Sequence, residues 1–266
     1  MLRWAGSKRQ LIPELAKYWD PNFNRYVEPF AGSARLFFHL APRKALLGDI
    51  NDELIGMYLH LRQNCVGVHR TLKDFEVGKR AYRRIRKLDP SCLTKNQRAA
   101  RLIYLNHYCF NGLYRTNKLG RFNVPYGGGK AGPLPTLTSL KQHARLLRKA
   151  SLKSGDFECV LQMVQPGDFV YLDPPFSISG RRMFHQYDAT AFGIDDLRRL
   201  RGWMESLDGL NVSFLVSFTD SEEGGYLSRG FHTHRVEVRR SIAGFALKRV
   251  RATELLISNR LPSSAS

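Results

Sequence analysis

The sequence is short of cysteine, of long apolar runs and of acidic residues, and each shortage removes a class of protein. Four cysteines occur in 266 residues, at positions 65, 92, 109 and 159, and none forms a C-x-x-C pair. That spacing argues against zinc, so no metal is expected, and the four read as reduced thiols of a cytoplasmic protein. No stretch approaches the ~20 apolar residues that a membrane span requires. The opening residues, MLRWAGSKRQLIPEL, lack the apolar core of a secretory signal. Acidic residues number 23 against 42 Lys plus Arg, a net charge of +19. The basic excess is spread along the chain and is not a disordered tail. A folded domain this basic points to a polyanion, most often nucleic acid, with anionic lipid or a generically basic surface as the alternatives.

Hydrophobic residues make up 43% of the chain, ordinary for a globular protein. Leu11, Ile12, Leu15, Ala16 and Trp19 fall at helical spacing. Residues 25–30 read as a strand running into a turn, and Gly32-Ser33 opens a helix over 34–40. Residues 44–49 read as a second strand ending in an acid, and 52–62 as a helix with Asp52 as its N-cap. This β-α-β-α opening is the signature of a doubly wound α/β domain. From 64 to 150 the pattern changes. Basic residues crowd together, a helix is expected over 96–105, and aromatics flank Lys118-Leu119-Gly120 as in a β-hairpin with a basic tip. Gly127-Gly128-Gly129 reads as a loop. The α/β pattern resumes with strands over 164–172 and 212–218, a helix over 194–207, and closing strands over 236–242 and 254–258. The expected organisation is a catalytic domain at 1–63 and 151–258, an inserted and mostly helical subdomain at 64–150, and a flexible tail at 259–266.

The residues that carry chemistry sit at strand ends. In an open α/β sheet, ligands bind beyond the carboxyl ends of the strands. Asp173-Pro174-Pro175-Phe176 follows one such strand. Its prolines lack amide donors, so an acceptor carboxylate, an acceptor carbonyl at Pro174 and an aromatic face are presented together. That set suits a planar ring bearing an amino group, with Phe176 stacking on the ring. A plain strand-ending turn is the alternative. Gly32, in Glu28-Pro29-Phe30-Ala31-Gly32, permits close backbone approach at the first strand–helix junction. Asp49 falls about 20 residues on, where nucleotide-type folds place a carboxylate for ribose hydroxyls, and a helix cap is its other reading.

Taken in order, these motifs resemble the Dam-like, D12 class family of DNA adenine-N6 methyltransferases. The family's W-A-G-G-K opening stands here as Trp4-Ala5-Gly6-Ser7-Lys8, its E-P-F-x-G loop as Glu28 to Gly32, and its acid-Ile-Asn turn as Asp49-Ile50-Asn51. Its recognition hairpin stands as Asn111-Gly112-Leu113-Tyr114-Arg115-Thr116-Asn117, then Gly120-Arg121-Phe122-Asn123-Val124-Pro125, and its D-P-P-Y as Asp173 to Phe176. The resemblance runs from residue 2 to about residue 258. It implies a Rossmann-like S-adenosylmethionine-dependent methyltransferase sheet with an inserted DNA-recognition subdomain. It also implies methyl transfer from S-adenosylmethionine, leaving S-adenosylhomocysteine, to a flipped adenine in a short duplex target, GATC or related. Trp4, Lys8, Phe30, Gly32, Asp49, Ile50, Asp156, Phe157 and Asp173 would hold the cofactor. Asp173, Pro174 and Phe176 would be catalytic. Arg3, Phe110, Asn111, Leu113, Arg115, Asn117, Pro125, Phe184 and Tyr187 would contact DNA or the extruded base. Double-stranded DNA is thus the expected partner, a monomer suffices, and the expected location is the cytoplasm of a bacterium or phage-infected cell.

Elementary recognition chemistry agrees. Arginine presents a bidentate fork to guanine, and an inserted aromatic lowers the cost of extruding a base. A phosphate contact for Arg115 and a place in the hairpin core for Phe110 are the alternatives. Phe176 stands where the family usually has tyrosine, Ser7 where it has glycine, and Gly127-Gly128-Gly129 where an aromatic or basic contact is usual. An RNA base, a protein glutamine and a catalytically silent DNA-binding module are the rival readings. The Asp at the head of D-P-P argues against glutamine, and the intact Asp173 and cofactor loop argue against a silent module.

Overall fold

A computed structural model describes residues 2–4, 8–128, 132–175, 192–241 and 249–262. Phe176, Phe184 and Tyr187 lie outside these residues, as do Ala5 to Ser7 of the opening motif and Gly129 of the glycine run. Two compact units are present. The first comprises Met1–Ser7 and Asp49–Gly155, the second Lys8–Gly48 and Asp156–Ser266.

The second unit is built on a mixed, mostly parallel sheet. Its strands are β1 (Arg25–Glu28), β2 (Ala45–Asp49, whose last residue begins the first unit), β4 (Asp168–Leu172), β5 (Ser213–Thr219), β6 (His232–Ser241) and β7 (Arg249–Ser258). They are arranged in the order β2-β1-β4-β5-β7-β6, and β3 (Ala150–Ser154) belongs to the first unit. Pairs β2·β1, β1·β4 and β4·β5 are parallel, while β7 runs antiparallel to both β5 and β6. Strands β4 and β5 are buried along nearly their whole length, which explains their continuous apolar sequences. Helices α7 (Phe157–Leu161), α8 (Ile194–Gly209) and α9 (Glu222–Ser228) contribute to a core in which Val27, Val170, Leu200, Met204, Phe214 and Ile257 are buried. Trp19 and Phe23, which follow α1 (Ile12–Ala16), pack their rings against Phe169, and Trp19 also meets Tyr26.

Strand β4 begins at Asp168 rather than at the expected 164. Asp168 is 2% exposed and accepts from Arg25 at 2.6 Å, which locks the β1·β4 register where the two residues face each other. The preceding residues form a turn, in which the Gln165 amide donates to the same carboxylate.

The first unit is helical, with α3 (Asp52–Lys73), α4 (Lys79–Lys87), α5 (Lys95–Tyr108) and α6 (Leu137–Leu147). The cap of α3 is Asn51, whose side chain accepts from the Leu54 amide; Asp52, the expected cap, is already inside the helix. The helix runs past 62 to Lys73, with one interruption at Asn64 (φ −146°, ψ 67°). The Asn64 side chain accepts from the Gly67 amide there and restarts the helix. Helix α5 opens with a reciprocal Thr94–Gln97 capping box and is buried on every face from Ala99 to Tyr108. Its Arg101 is 1% exposed and donates to the Ile85 and Arg86 carbonyls of α4 and to Glu53 of α3.

Candidate active site and nucleic-acid interface

In the second unit, strand ends deliver acids to one edge of the sheet. Glu28 ends β1 and Asp173 follows β4, each two residues beyond a tyrosine on the same strand face, Tyr26 and Tyr171. The Tyr26 hydroxyl donates to Glu28 at 3.0 Å. Ser217 of β5 donates to Asp173 Oδ1 at 3.0 Å. Its single proton is used there, so the Tyr171 hydroxyl, 2.8 Å from Ser217 Oγ, is the donor in that contact. Lys8, 8% exposed, places Nζ 3.1 Å from Asp173 Oδ1 and 3.4 Å from Glu254 Oε2. Glu254 is 3% exposed and reaches this edge because antiparallel β7 sets it opposite Thr219, the last residue of β5.

Burial pushes the Asp173 carboxyl above the ordinary aspartate value, and Glu254 pushes it the same way. The Lys8 ammonium and the Ser217 hydroxyl act against both. Burial and neighbouring acids also raise Tyr171 and Tyr26 well above the usual phenol range, so both stay protonated donors. One carboxylate oxygen of Asp173 is therefore held by two donors, and Oδ2 has no hydrogen-bond partner among the described residues. Pro174 is buried and lacks an amide donor.

A second cluster in this unit centres on Asp156. Its carboxylate caps α7 through the Glu158 amide and accepts from Arg199 of α8 at 2.6 Å. Phe30 and Phe157 stack with centroids 5.2 Å apart, Phe192 meets Phe30 edge-on, and the Arg199 guanidinium lies 4.7 Å over the Phe157 ring. Gly32 adopts φ +46°, a backbone state that disfavours a side chain just past Phe30. Aromatic faces beside a half-buried acceptor suit an adenosine, and the net negative Lys8–Asp173–Glu254 trio suits a sulfonium cation. The residues present thus fit S-adenosylmethionine.

The first unit holds the hairpin. Asn117 and Arg121 close it by a backbone bond at 2.9 Å, and Thr116 bridges Phe122. The Asn117 side-chain oxygen accepts from the Leu119 and Arg121 amides, so that atom is committed to the turn. Arg115 donates through Nε to Asn123 at 2.8 Å, which fixes the direction of its guanidinium. Phe110 is 40% exposed, against the hairpin-core alternative, and Asn111 and Pro125 are exposed beside it. Leu113 is half-buried. Arg3 is exposed and donates to the His107 carbonyl at 3.1 Å, while its own backbone is held by Asn106. Gly112 has φ +66°, and a side chain there would meet the Arg3 carbonyl at 2.6 Å. Trp4 stacks on Tyr114 at 5.8 Å, and the Tyr114 hydroxyl donates to Glu53 at 2.9 Å. The Asp49 carboxylate accepts from the Asn51 amide, and Ile50 is 57% exposed. The helix-cap reading of Asp49 gives way to Asn51.

Helix α4 adds a basic face. Ala81, Tyr82 and Ile85 are buried, while Lys79, Arg80, Arg83, Arg84 and Lys87 are exposed. Tyr82 and Arg86 both donate to the Val124 carbonyl of the hairpin, at 2.9 and 3.0 Å.

Sequence reasoning missed Ser217, Tyr171, Glu254 and Glu53 as site residues. A polar residue in an apolar strand was the available signal for Ser217. Glu254 needed the register of an antiparallel pair, which no local pattern encodes.

A family model described as D12 class N6 adenine-specific DNA methyltransferase matches residues 4–242. A type II methyltransferase of Lactococcus lactis subsp. cremoris is 34% identical, over 97% of this chain and 94% of that protein. A type II methyltransferase of Methanocaldococcus jannaschii is 32% identical, over 97% and 98% of the two chains. A DNA adenine methylase of Haemophilus influenzae is 29% identical, over 96% and 91%.

Proposed function

The chain belongs to the D12 class N6 adenine-specific DNA methyltransferase family, and from that premise we propose that it transfers methyl from S-adenosylmethionine to an extruded adenine in a short duplex target. The observation that carries the reading is the Asp173 carboxylate, held on one oxygen by Lys8 and Ser217 at a strand's carboxyl end.

S-adenosylmethionine supplies an electrophilic methyl on a sulfonium sulfur. In this reading Phe30, Gly32, Asp156 and Phe157 hold it. The Asp173 carboxylate and the Pro174 carbonyl accept the two N–H groups of the adenine amine. Those bonds favour a pyramidal nitrogen with a more available lone pair. When bound, the donor would give its methyl to the amine nitrogen and leave as S-adenosylhomocysteine; Asp173 would stabilise the positive charge developing on that nitrogen, whose surplus proton would then pass to solvent. Positioning supplies much of the rest. Phe176 keeps its expected stacking role, and Phe184 and Tyr187 keep theirs around the extruded base.

The first unit reads DNA in this account. The exposed Phe110 serves as the wedge, Arg115 and Arg3 as base or phosphate contacts, and α4 as a strip of phosphate-binding charge. Asn117 contributes by shaping the hairpin, since its oxygen is bound to the turn.

Labelled-methyl transfer to duplex DNA, RNA and protein, with Asp173→Ala as control, tests the proposal. Label in DNA alone, absent from the variant although cofactor binding persists, is the expected result. Label in RNA or protein, or undiminished turnover by the variant, overturns it.

A further inference from the structure

Glu254 is a buried acid that the mechanism above leaves unused. Its side chain is 3% exposed, and among the described residues a cation facing it is Lys8, whose ammonium lies 3.4 Å from Glu254 Oε2 and 3.1 Å from Asp173 Oδ1. A buried carboxylate is costly unless it is compensated, and a strand with one apolar face would ordinarily place a hydrophobe here. The neighbouring β7 positions Leu255, Leu256 and Ile257 are buried and apolar.

The arrangement divides one positive charge between two acids. With Lys8 bound to Asp173 alone, the pair is neutral, and the oxygen left for substrate sits in a weak field. With Glu254 sharing Lys8, the trio carries a net negative charge where nitrogen turns positive during transfer. Among the described residues, the other titratable groups facing the trio are Tyr171 on β4 and Tyr26 and Glu28 on β1. Both phenols are raised and stay neutral, and Tyr26 donates to Glu28. Ser217 on β5 is the other donor to Asp173.

We propose that Glu254 is a positioning residue of the methyl-transfer step, acting through Lys8 to keep Asp173 Oδ2 an electron-rich acceptor for the amine. This rests on the reading of Asp173 given above.

Single-turnover methylation of duplex DNA by the full chain tests it. Glu254→Gln is near-isosteric and removes only the charge. Its rate near neutral pH should fall at least tenfold, with dissociation constants for cofactor and DNA within about twofold of the parent. Glu254→Asp should recover most of the rate. Because Glu254 acts in part through Lys8, adding Glu254→Gln to Lys8→Met should lower the rate by a smaller factor than it does in the parent. The double variant buries two neutral side chains in place of the ion pair, so it is the safer one to fold. A Glu254→Gln rate within twofold of the parent, no recovery in Glu254→Asp, or a loss as large in the Lys8→Met background as in the parent overturns the proposal. A parent that methylates no DNA adenine instead sinks the reading of Asp173 itself, a result distinct from any variant's behaviour.

Discussion

Ser217 donates to the same Asp173 oxygen that Lys8 contacts, so the carboxylate is gripped on Oδ1, while Oδ2 has no hydrogen-bond partner among the described residues. Hydrogen bonds to charged groups are worth about 1.5–3 kcal/mol. Ser217→Ala should therefore lower the single-turnover rate by roughly tenfold or more, through misorientation of Asp173. Cofactor affinity should change little. A Ser217→Ala rate equal to the parent's would show that Lys8 alone orients the carboxylate.

The acid limb of the pH–rate profile follows from Asp173. A protonated carboxyl is a poor acceptor, so activity is present above its pKa and is lost as pH falls through it. Burial raises that pKa above the ordinary value of 3.8, and Lys8 holds it down. The parent's acid limb should thus lie above 3.8, and Lys8→Met should move it to still higher pH. A limb that stays put or shifts downward in Lys8→Met contradicts the assignment.

Arg115 is aimed by Asn123. Arg115→Ala should relax the choice of target sequence more than it lowers affinity for unrelated DNA, as expected for a base contact. Binding curves on target and scrambled duplexes at several salt concentrations decide this. A uniform loss on all sequences, with a smaller salt slope, would make Arg115 a phosphate contact.

Much of this was legible in the chain. The acids at strand ends, the Asn111–Pro125 hairpin and the turn at Gly32 are local features, each encoded within a short stretch of chain. Elements α4, α6 and β3 were not resolved by pattern, because basic residues mask the apolar stripe of α4 and β3 alternates over only five residues. Asn51 outcompeted Asp52 as the α3 cap because capping depends on one backbone dihedral, not on composition. Glu254 and Ser217 join Asp173 only through strand order, which a single sequence does not display.

Arg101 is the structural keystone of the first unit, joined to Glu53 at 2.8 Å and to two α4 carbonyls. Removing one partner of a buried ion pair typically costs about 3–5 kcal/mol. Arg101→Met should lower the urea midpoint by a corresponding amount with an unchanged slope, while Tyr114→Phe, which loses one bond to Glu53, should cost only about 1 kcal/mol. Equal midpoints for Arg101→Met and the parent would refute the hub.

The most direct test is sequencing of unmodified plasmid DNA for N6-methyladenine after incubation with the purified protein and S-adenosylmethionine. The account predicts modified adenine confined to one short motif, which also supplies the target sequence. Unmodified DNA, with cofactor binding shown intact, would contradict it.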